Sequence, residues 1–167
     1  KLSEEIKLSC IEQFVRSHIQ HYDEKNYWSR REKVIRGSKN PFSKLVNTFR
    51  LLYIKRCDAF NNASLGTHMG FGAKFEGIPK LPHGLYGIFV SHNAIIGKNC
   101  TIFHQVTIGE GKNGAPIVGD NVLIGAGAKI IGNVHIGNNA KIGVNAVIVH
   151  DVPDGAVVAA TEGVRLI

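Results

Sequence analysis

Aliphatic residues recur every six positions through the second half of the chain. They occupy Ile96, Ile102 and Ile108 and, after a gap of ten residues, Val118, Ile124, Ile130, Ile136, Ile142 and Ile148. A small or medium-sized residue precedes each of them by two positions, and glycine often follows. The period fits neither the 3.6-residue repeat of an α-helix nor a heptad. It predicts a solenoid with three short strands in each coil of about 18 residues.

The repeat also predicts where the residues of each hexad lie. The aliphatic residue fills the interior of a three-sided prism, the small residue fits near a corner, and Gly or Asn at the turn tolerates a positive φ angle. The longer gap between Ile108 and Val118 places four extra residues within 110–115. Because insertions in a solenoid emerge as loops on one edge, often the binding edge, we expect this loop to mark that edge.

The beginning of the chain follows a helical pattern instead. A serine and two glutamates at residues 3–5 precede apolar residues spaced two to four apart over 6–19, which predicts a capped amphipathic helix. The sequence Gly-Ser-Lys-Asn-Pro at 37–41 interrupts the pattern. A second apolar series predicts a second helix over 42–60.

The charge and the glycine content of the chain both change at the end of this second apolar series. Residues 1–60 contain 13 Lys and Arg against 7 Asp and Glu, whereas residues 61–167 contain 7 against 6 and all but one of the 19 glycines. We therefore expect a helical region over 1–60 and a β-helical domain over 61–167. The positive charge belongs to the helical region and accompanies no nucleic-acid-binding motif, so it does not indicate a nucleic-acid partner.

Two further features concern the environment of the protein. No apolar run approaches the ~20 residues that span a bilayer, so we expect no transmembrane segment. The three cysteines, Cys10, Cys57 and Cys100, are widely spaced and form neither a disulfide framework nor a zinc motif. We expect a cytoplasmic protein.

The hexad pattern resembles that of the hexapeptide-repeat family over roughly residues 63–160. Within this family the chain is most similar to serine O-acetyltransferases and their short polysaccharide-type relatives. The residues that carry the similarity are 87–90, 102–109, 122–133, 140–143 and 151–153. The resemblance implies a mainly β fold, a left-handed parallel β-helix with a short N-terminal α-helical region. It also implies a homotrimer with active sites between subunits, and the short helical region predicts a single trimer.

The resemblance further implies an acetyl-CoA-dependent O-acetyltransferase that transfers the acetyl group directly to an acceptor hydroxyl. Histidine suits the general base because it titrates near neutral pH. In serine acetyltransferases the catalytic histidine precedes a Gly-Ile-Val-Val-like run, and His83 precedes the similar run at 87–90 here. His83 is the first candidate for the base, and His104 and His92 are the alternatives. We expect no metal.

The chain departs from the family pattern at two places. The family places Asp next to the catalytic histidine, whereas Pro82 stands there in this chain, and Glu76 is the substitute to consider. The Arg-His pair that meets serine in the family is absent from the loop at 110–115. The acceptor is either L-serine or a hydroxyl on a sugar or polysaccharide unit, and the missing pair favours the sugar.

By the same resemblance, CoA would lie in a groove beside the later coils. The residues that would line this groove are Gly109, Gly125, Ala126, Lys141, Gly143 and Arg165. Lys141 and Arg165 would contact phosphate groups.

Two alternative functions remain. A metal-dependent γ-type carbonic anhydrase-like enzyme needs three histidine ligands, and the spacing of 21 residues between His83 and His104 does not match that subfamily. A non-catalytic β-helix would serve as a binding or assembly module. Metal analysis would distinguish the first alternative from an acetyltransferase, and thiol release from acetyl-CoA would distinguish the second.

Overall fold

The computed structural model describes residues 18, 19 and 21–160. Two α-helices open this part of the chain, α1 (Glu24–Arg36) and α2 (Pro41–Phe60). Side-chain oxygens of Asp23 and Asn40 cap their first turns by accepting backbone N–H groups. Neither helix is long and apolar enough to cross a membrane. The helix predicted over 6–19 lies almost entirely outside the described residues.

The second helix is present where the sequence predicts it, but its apolar stripe faces outward. The side chains of Phe42, Leu45, Phe49, Leu52 and Phe60 are all more than half exposed. The buried residues of α2 are Asn47, Ile54, Cys57 and Asp58. The helix therefore packs on α1 and the first coil through a face that is partly polar.

Short strands follow the helices. A hairpin of β1 (Thr67–His68) and β2 (Phe71–Gly72) is antiparallel, and the remaining strands form three parallel sheets. Face 1 contains β4 (Phe89–Val90), β7 (Thr107–Gly109), β10 (Lys129–Ile131) and β13 (Val147–Ile148). Face 2 contains β3 (Lys74–Phe75), β5 (Ile95–Ile96), β8 (Ile117–Val118) and β11 (His135–Ile136). Face 3 contains β6 (Thr101–Ile102), β9 (Leu123–Ile124), β12 (Lys141–Ile142) and β14 (Val157–Val158).

The chain visits faces 1, 2 and 3 in turn and so builds a parallel β-helix of about five coils. Strands stack in register, so that Ile108, Ile130 and Ile148 are neighbours on face 1. The aliphatic residues of the hexads are buried inside the prism, as the sequence predicts. The mainly β fold with N-terminal helices is confirmed.

A buried polar network fastens the helices to the first coil. The Arg31 guanidinium donates to the carbonyl oxygens of Leu65 (2.9 Å) and Ala73 (2.7 Å) and to Oγ1 of Thr67 (3.0 Å). Burial lowers the pKa of Arg31 to about 10, so the group still carries its charge at neutral pH. This network fixes α1 against the hairpin, while α2 ends beside the turn that follows the first coil.

Candidate active site

One edge of the prism, where face 3 passes into face 1, contains two of the predicted base residues. We call it the 3–1 corner. Successive coils cross it at residues 81–88, 103–106, 125–128 and 143–146. His83 lies in the first crossing and His104 in the second, so one coil separates them.

The two imidazole rings are in direct contact. Nδ1 of His83 lies 2.6 Å from Nδ1 of His104, and the ring centroids are 4.7 Å apart. Phe103 contacts the His83 ring edge-to-face at 5.6 Å. The separation of the nitrogens is that of a hydrogen bond, so one Nδ1 must carry a proton and the other must accept it.

Three hydrogen bonds from the two neighbouring coils hold the backbone at His104 and Gln105. The His104 carbonyl accepts the N–H of Gly127 (3.0 Å), and the N–H of Gln105 donates to the Tyr86 carbonyl (3.0 Å). The Gln105 carbonyl accepts a bond from Nζ of Lys129 (2.7 Å). Gln105 has a φ of +59°, which is unusual for a residue with a side chain. These contacts from neighbouring coils fix the orientation of the His104 backbone.

His83 lies on a turn that is anchored at both ends. The Gly84 N–H donates to the Leu81 carbonyl (3.0 Å), and the Gly87 N–H donates to the carbonyl of Asn61 (2.9 Å), just after α2. Gly87 has a φ of +66°, and a Cβ there would lie 3.0 Å from Cγ of Gln105. Glycine therefore permits both the turn and the close approach of the next coil.

An open cleft of about 500 Å³ lies in front of the histidine pair. Its lining residues are Ile19, Phe60, Asn61, His83, Tyr86 and His104. A second groove, of about 400 Å³, runs along face 1 and includes Tyr86, Gln105, Thr107, Lys129 and Asn145. Since Tyr86 borders both spaces, the cleft and the groove are adjacent.

The third candidate base lies elsewhere. His92 is at the corner between faces 1 and 2, where its ring contacts those of His68 (5.4 Å between centroids) and Phe71 (5.7 Å). The loop at 110–115 leaves the same corner, and Glu110 accepts hydrogen bonds from Ser91 and Asn93. Within one chain, neither His92 nor this loop adjoins the His83–His104 pair.

The residues predicted to line a CoA groove are divided between surfaces. Gly125, Ala126 and Gly143 lie at the 3–1 corner, in the coils that follow His104. Lys141 is exposed on β12 of face 3, and Gly109 ends β7 at the corner between faces 1 and 2. Arg165 lies outside the described residues.

Sequence reasoning did not identify Phe60, Asn61 and Tyr86 as part of the site. Their proximity depends on where α2 ends against the first coil, and no local sequence motif predicts that position. It also offered Glu76 to orient the base, but Oε1 of Glu76 pairs with Nζ of Lys74 at 2.6 Å. Among the described residues, no carboxylate lies within 4.0 Å of a nitrogen of either ring of the pair. The same residues contain no group of three His, Cys, Asp or Glu that could hold a metal.

The sequence and the fold are similar to those of known acetyltransferases. Residues 115–150 match the bacterial transferase hexapeptide family (six repeats). A serine acetyltransferase from Staphylococcus aureus is 35% identical over 124 residues, which are 72% of this chain and 58% of that protein. The chain thus spans little more than half the length of this relative.

Two solved structures extend this comparison. Serine acetyltransferase from Neisseria gonorrhoeae in complex with serine superposes with a TM-score of 0.66 at 28% identity, over 96% of this chain and 62% of that chain. A serine acetyltransferase in complex with CoA gives a TM-score of 0.63 at 27% identity, over 83% of this chain and 55% of that chain.

Proposed function

We propose that this chain, which belongs to the hexapeptide-repeat family and is similar to serine acetyltransferases, transfers an acetyl group from acetyl-CoA to an acceptor hydroxyl. The observation that carries the proposal is the His83–His104 pair, which borders a cleft at one corner of the β-helix. The similar proteins are named for acetyl transfer to serine, and one was solved with serine and another with CoA. L-serine is therefore the first acceptor to test.

His83 is the proposed general base. Nε2 of His83 removes the proton of the acceptor hydroxyl while the hydroxyl oxygen attacks the thioester carbonyl carbon. The tetrahedral intermediate collapses with cleavage of the carbon–sulfur bond, and the CoA thiolate leaves. His83 returns its proton to the thiolate, so the products are the acetyl ester and free CoA. The mechanism needs no acyl-enzyme, and the described cysteines, Cys57 and Cys100, are unsuited to carry the acetyl group because they are buried and burial raises the pKa of each thiol.

The groove on face 1 is the proposed position of CoA. It adjoins the cleft at Tyr86 and offers the amide groups of Gln105 and Asn145 and the ammonium group of Lys129. Gly125, Ala126 and Gly143 lie at the same corner and are further proposed contacts of CoA, and Lys141 and Arg165 are the proposed phosphate contacts. The thioester carbon would then lie at the cleft.

A homotrimer with active sites between subunits is the proposed assembly. Gly109 and the loop at 110–115 lie at the corner between faces 1 and 2, away from the histidine pair of their own chain. In a trimer of prisms, one corner of each subunit faces a different corner of its neighbour, so these residues can complete a neighbour's site. The free thiols of Cys57 and Cys100 suit the reducing cytoplasm.

A thiol-release assay with acetyl-CoA tests the proposal. We expect acceptor-dependent release of CoA with L-serine, and parallel reactions with sugars and nucleotide sugars test the acceptor that the missing Arg-His pair favours. Reactions without acceptor correct for hydrolysis. Absence of CoA release with every acceptor, together with absence of CoA binding, would refute the acetyltransferase.

The carbonic anhydrase alternative fits the pair less well. Two imidazole nitrogens that bind one zinc ion at 2.0–2.1 Å in tetrahedral geometry lie roughly 3.3 Å apart. The observed 2.6 Å is shorter and matches a hydrogen bond. Zinc bound in equal amount to the purified protein, with carbon dioxide hydration that a chelator abolishes, would favour the alternative.

A further inference from the structure

We propose that His104 is the positioning residue for His83, and that its Nδ1 accepts the Nδ1–H of His83 in the resting protein. The inference rests on the proposed acetyl transfer and deepens it, because it assigns the group that orients the base. It starts from one distance, the 2.6 Å between the two Nδ1 atoms. That distance requires one proton between the rings, and two protons or none would leave the nitrogens repelling each other.

The position of the proton follows from what the base must do. His83 can remove a hydroxyl proton through Nε2 only if Nε2 has a free lone pair. A neutral imidazole with Nε2 free carries its proton on Nδ1. His83 must therefore donate from Nδ1, and His104 must accept at Nδ1 and carry its own proton on Nε2. The hydrogen bond thus selects the tautomer of His83 that is competent as a base.

His104 suits the fixed role better than His83 does. Its side chain is half-buried, whereas that of His83 is exposed. Hydrogen bonds to Gly127, Tyr86 and Lys129 hold the main chain of His104 and Gln105, and these partners belong to the two neighbouring coils. His83 lies on a turn that projects into the cleft. The rigid member of the pair therefore orients the member that faces the acceptor.

No carboxylate of the described residues takes this role, because none lies within 4.0 Å of a nitrogen of either ring and Glu76 is paired with Lys74. When His83 takes the hydroxyl proton on Nε2, its Nδ1–H remains bonded to neutral His104, which stabilises the imidazolium through a charge-assisted hydrogen bond. The pair then carries a single positive charge, and it loses this charge when the proton passes to the CoA thiolate.

Two substitutions at position 104 test the role. His104→Leu removes the acceptor, whereas the amide oxygen of His104→Asn can accept at about the place of Nδ1. We expect the Leu variant to lower kcat about 100-fold, at the lower end of what acid–base catalysis supplies. The Asn variant should retain kcat to within about tenfold of the unaltered protein, and neither variant should change KM for acetyl-CoA. His135→Leu, at an exposed residue of β11, is the matched control and should leave kcat unchanged.

A structural role alone would not give this pattern. Both variants should unfold at the same denaturant concentration as the unaltered protein, and equal loss of kcat in the Leu and Asn variants would overturn the proposal. If His104 were itself the base, Asn would be as inactive as Leu, whereas His83→Asn would retain activity.

Nitrogen NMR of labelled histidines gives a readout that does not need turnover. We expect the Nδ1–H tautomer at His83 and the Nε2–H tautomer at His104, and we expect His104→Leu to return His83 to the tautomer mixture of free histidine. The reverse tautomers would overturn the assignment. Absence of turnover in the unaltered protein would refute the proposed function, while the tautomers would still decide whether the hydrogen bond is as assigned, so the two failures are distinguishable.

Discussion

The hydroxyl of Tyr27 donates a 2.6 Å hydrogen bond to Oδ1 of Asp58, and both side chains are buried between α1 and α2. The second carboxylate oxygen, Oδ2, has no hydrogen-bond partner among the described residues. Burial raises the pKa of Asp58 to about 6, although the bond from Tyr27 and the charges of Lys55 and Arg31 oppose the shift. The folded protein therefore keeps this proton at pH values where the unfolded chain, with a pKa of 3.8, has lost it.

This shift predicts how stability depends on pH. Protonated Asp58 contributes fully to the free energy of unfolding below pH 3.8, and this contribution is lost as the pH rises through about 6. Asp58→Asn should remove this part of the pH dependence, which amounts to at most about 3 kcal/mol. Urea unfolding at a series of pH values measures it, and Glu24→Gln, at an exposed residue of α1, is the control. Equal slopes of unfolding free energy against pH in Asp58→Asn and the unaltered protein would contradict the prediction.

Substitution of the proposed base should abolish most of the activity. We expect His83→Ala to lower kcat by about 10³-fold, since it removes the group that takes the hydroxyl proton, with little change in KM for acetyl-CoA. His92→Ala distinguishes the candidates because His92 packs on His68 and Phe71 at another corner. A larger loss of kcat in His92→Ala than in His83→Ala would transfer the role of base to His92.

The close packing at Gly87 should matter more than its backbone angle alone. Gly87→Ala introduces a strained φ of +66° and a Cβ at 3.0 Å from Gln105, next to His104. Gly155→Ala introduces a similar strain at φ +68°, but its Cβ would meet no atom of the described residues within 4 Å. Each should destabilise the fold by about 1 kcal/mol through strain, and only Gly87→Ala should also lower kcat. If both variants keep full kcat, the turn does not hold the histidine pair in place.

The interior of the prism should respond to cavities as a packed core does. Ile136 is fully buried on face 2, whereas Ile117 in the neighbouring strand is 41% exposed. We expect Ile136→Ala to lower the free energy of unfolding by about 2–5 kcal/mol and Ile117→Ala to lower it by less than half as much. Chemical denaturation monitored by circular dichroism measures both, and equal losses would indicate that the interior is loosely packed.

The fold could be predicted because the repeat is local and redundant. The interior positions from Ile96 to Ile148 repeat every six residues apart from the one longer gap before Val118, so three short strands in each coil follow from the spacing. The packing of the helices is harder to predict from the sequence. Helix α1 buries Tyr27, Trp28, Arg31 and Val34, and its buried arginine disguises the apolar stripe. Helix α2 has the apolar stripe that the sequence shows, but that stripe is largely exposed, and the helix packs through a partly polar face that contains Asn47, Ile54, Cys57 and Asp58.

The candidate site could be predicted only in part, for a related reason. Histidines about one coil apart, such as His83 and His104, stack because the repeat aligns successive coils. The distance between their nitrogens depends on the turn at 82–87, which no period describes. Phe60 and Asn61 enter the cleft from the end of a helix, so their place depends on tertiary packing that spacing does not encode.

Because successive coils stack, the number of residues between His83 and His104 decides whether the two rings lie on the same edge of the prism. An insertion that stays within a corner, like the residues at 110–115, leaves every later strand on its own face. An insertion of six residues within a face would turn all later residues by one third of a revolution around the prism. Placed between His83 and His104, it would move the two rings to different edges without altering either residue. In relatives of this protein, natural variation in length should therefore be tolerated at the corners and excluded from the faces between these histidines.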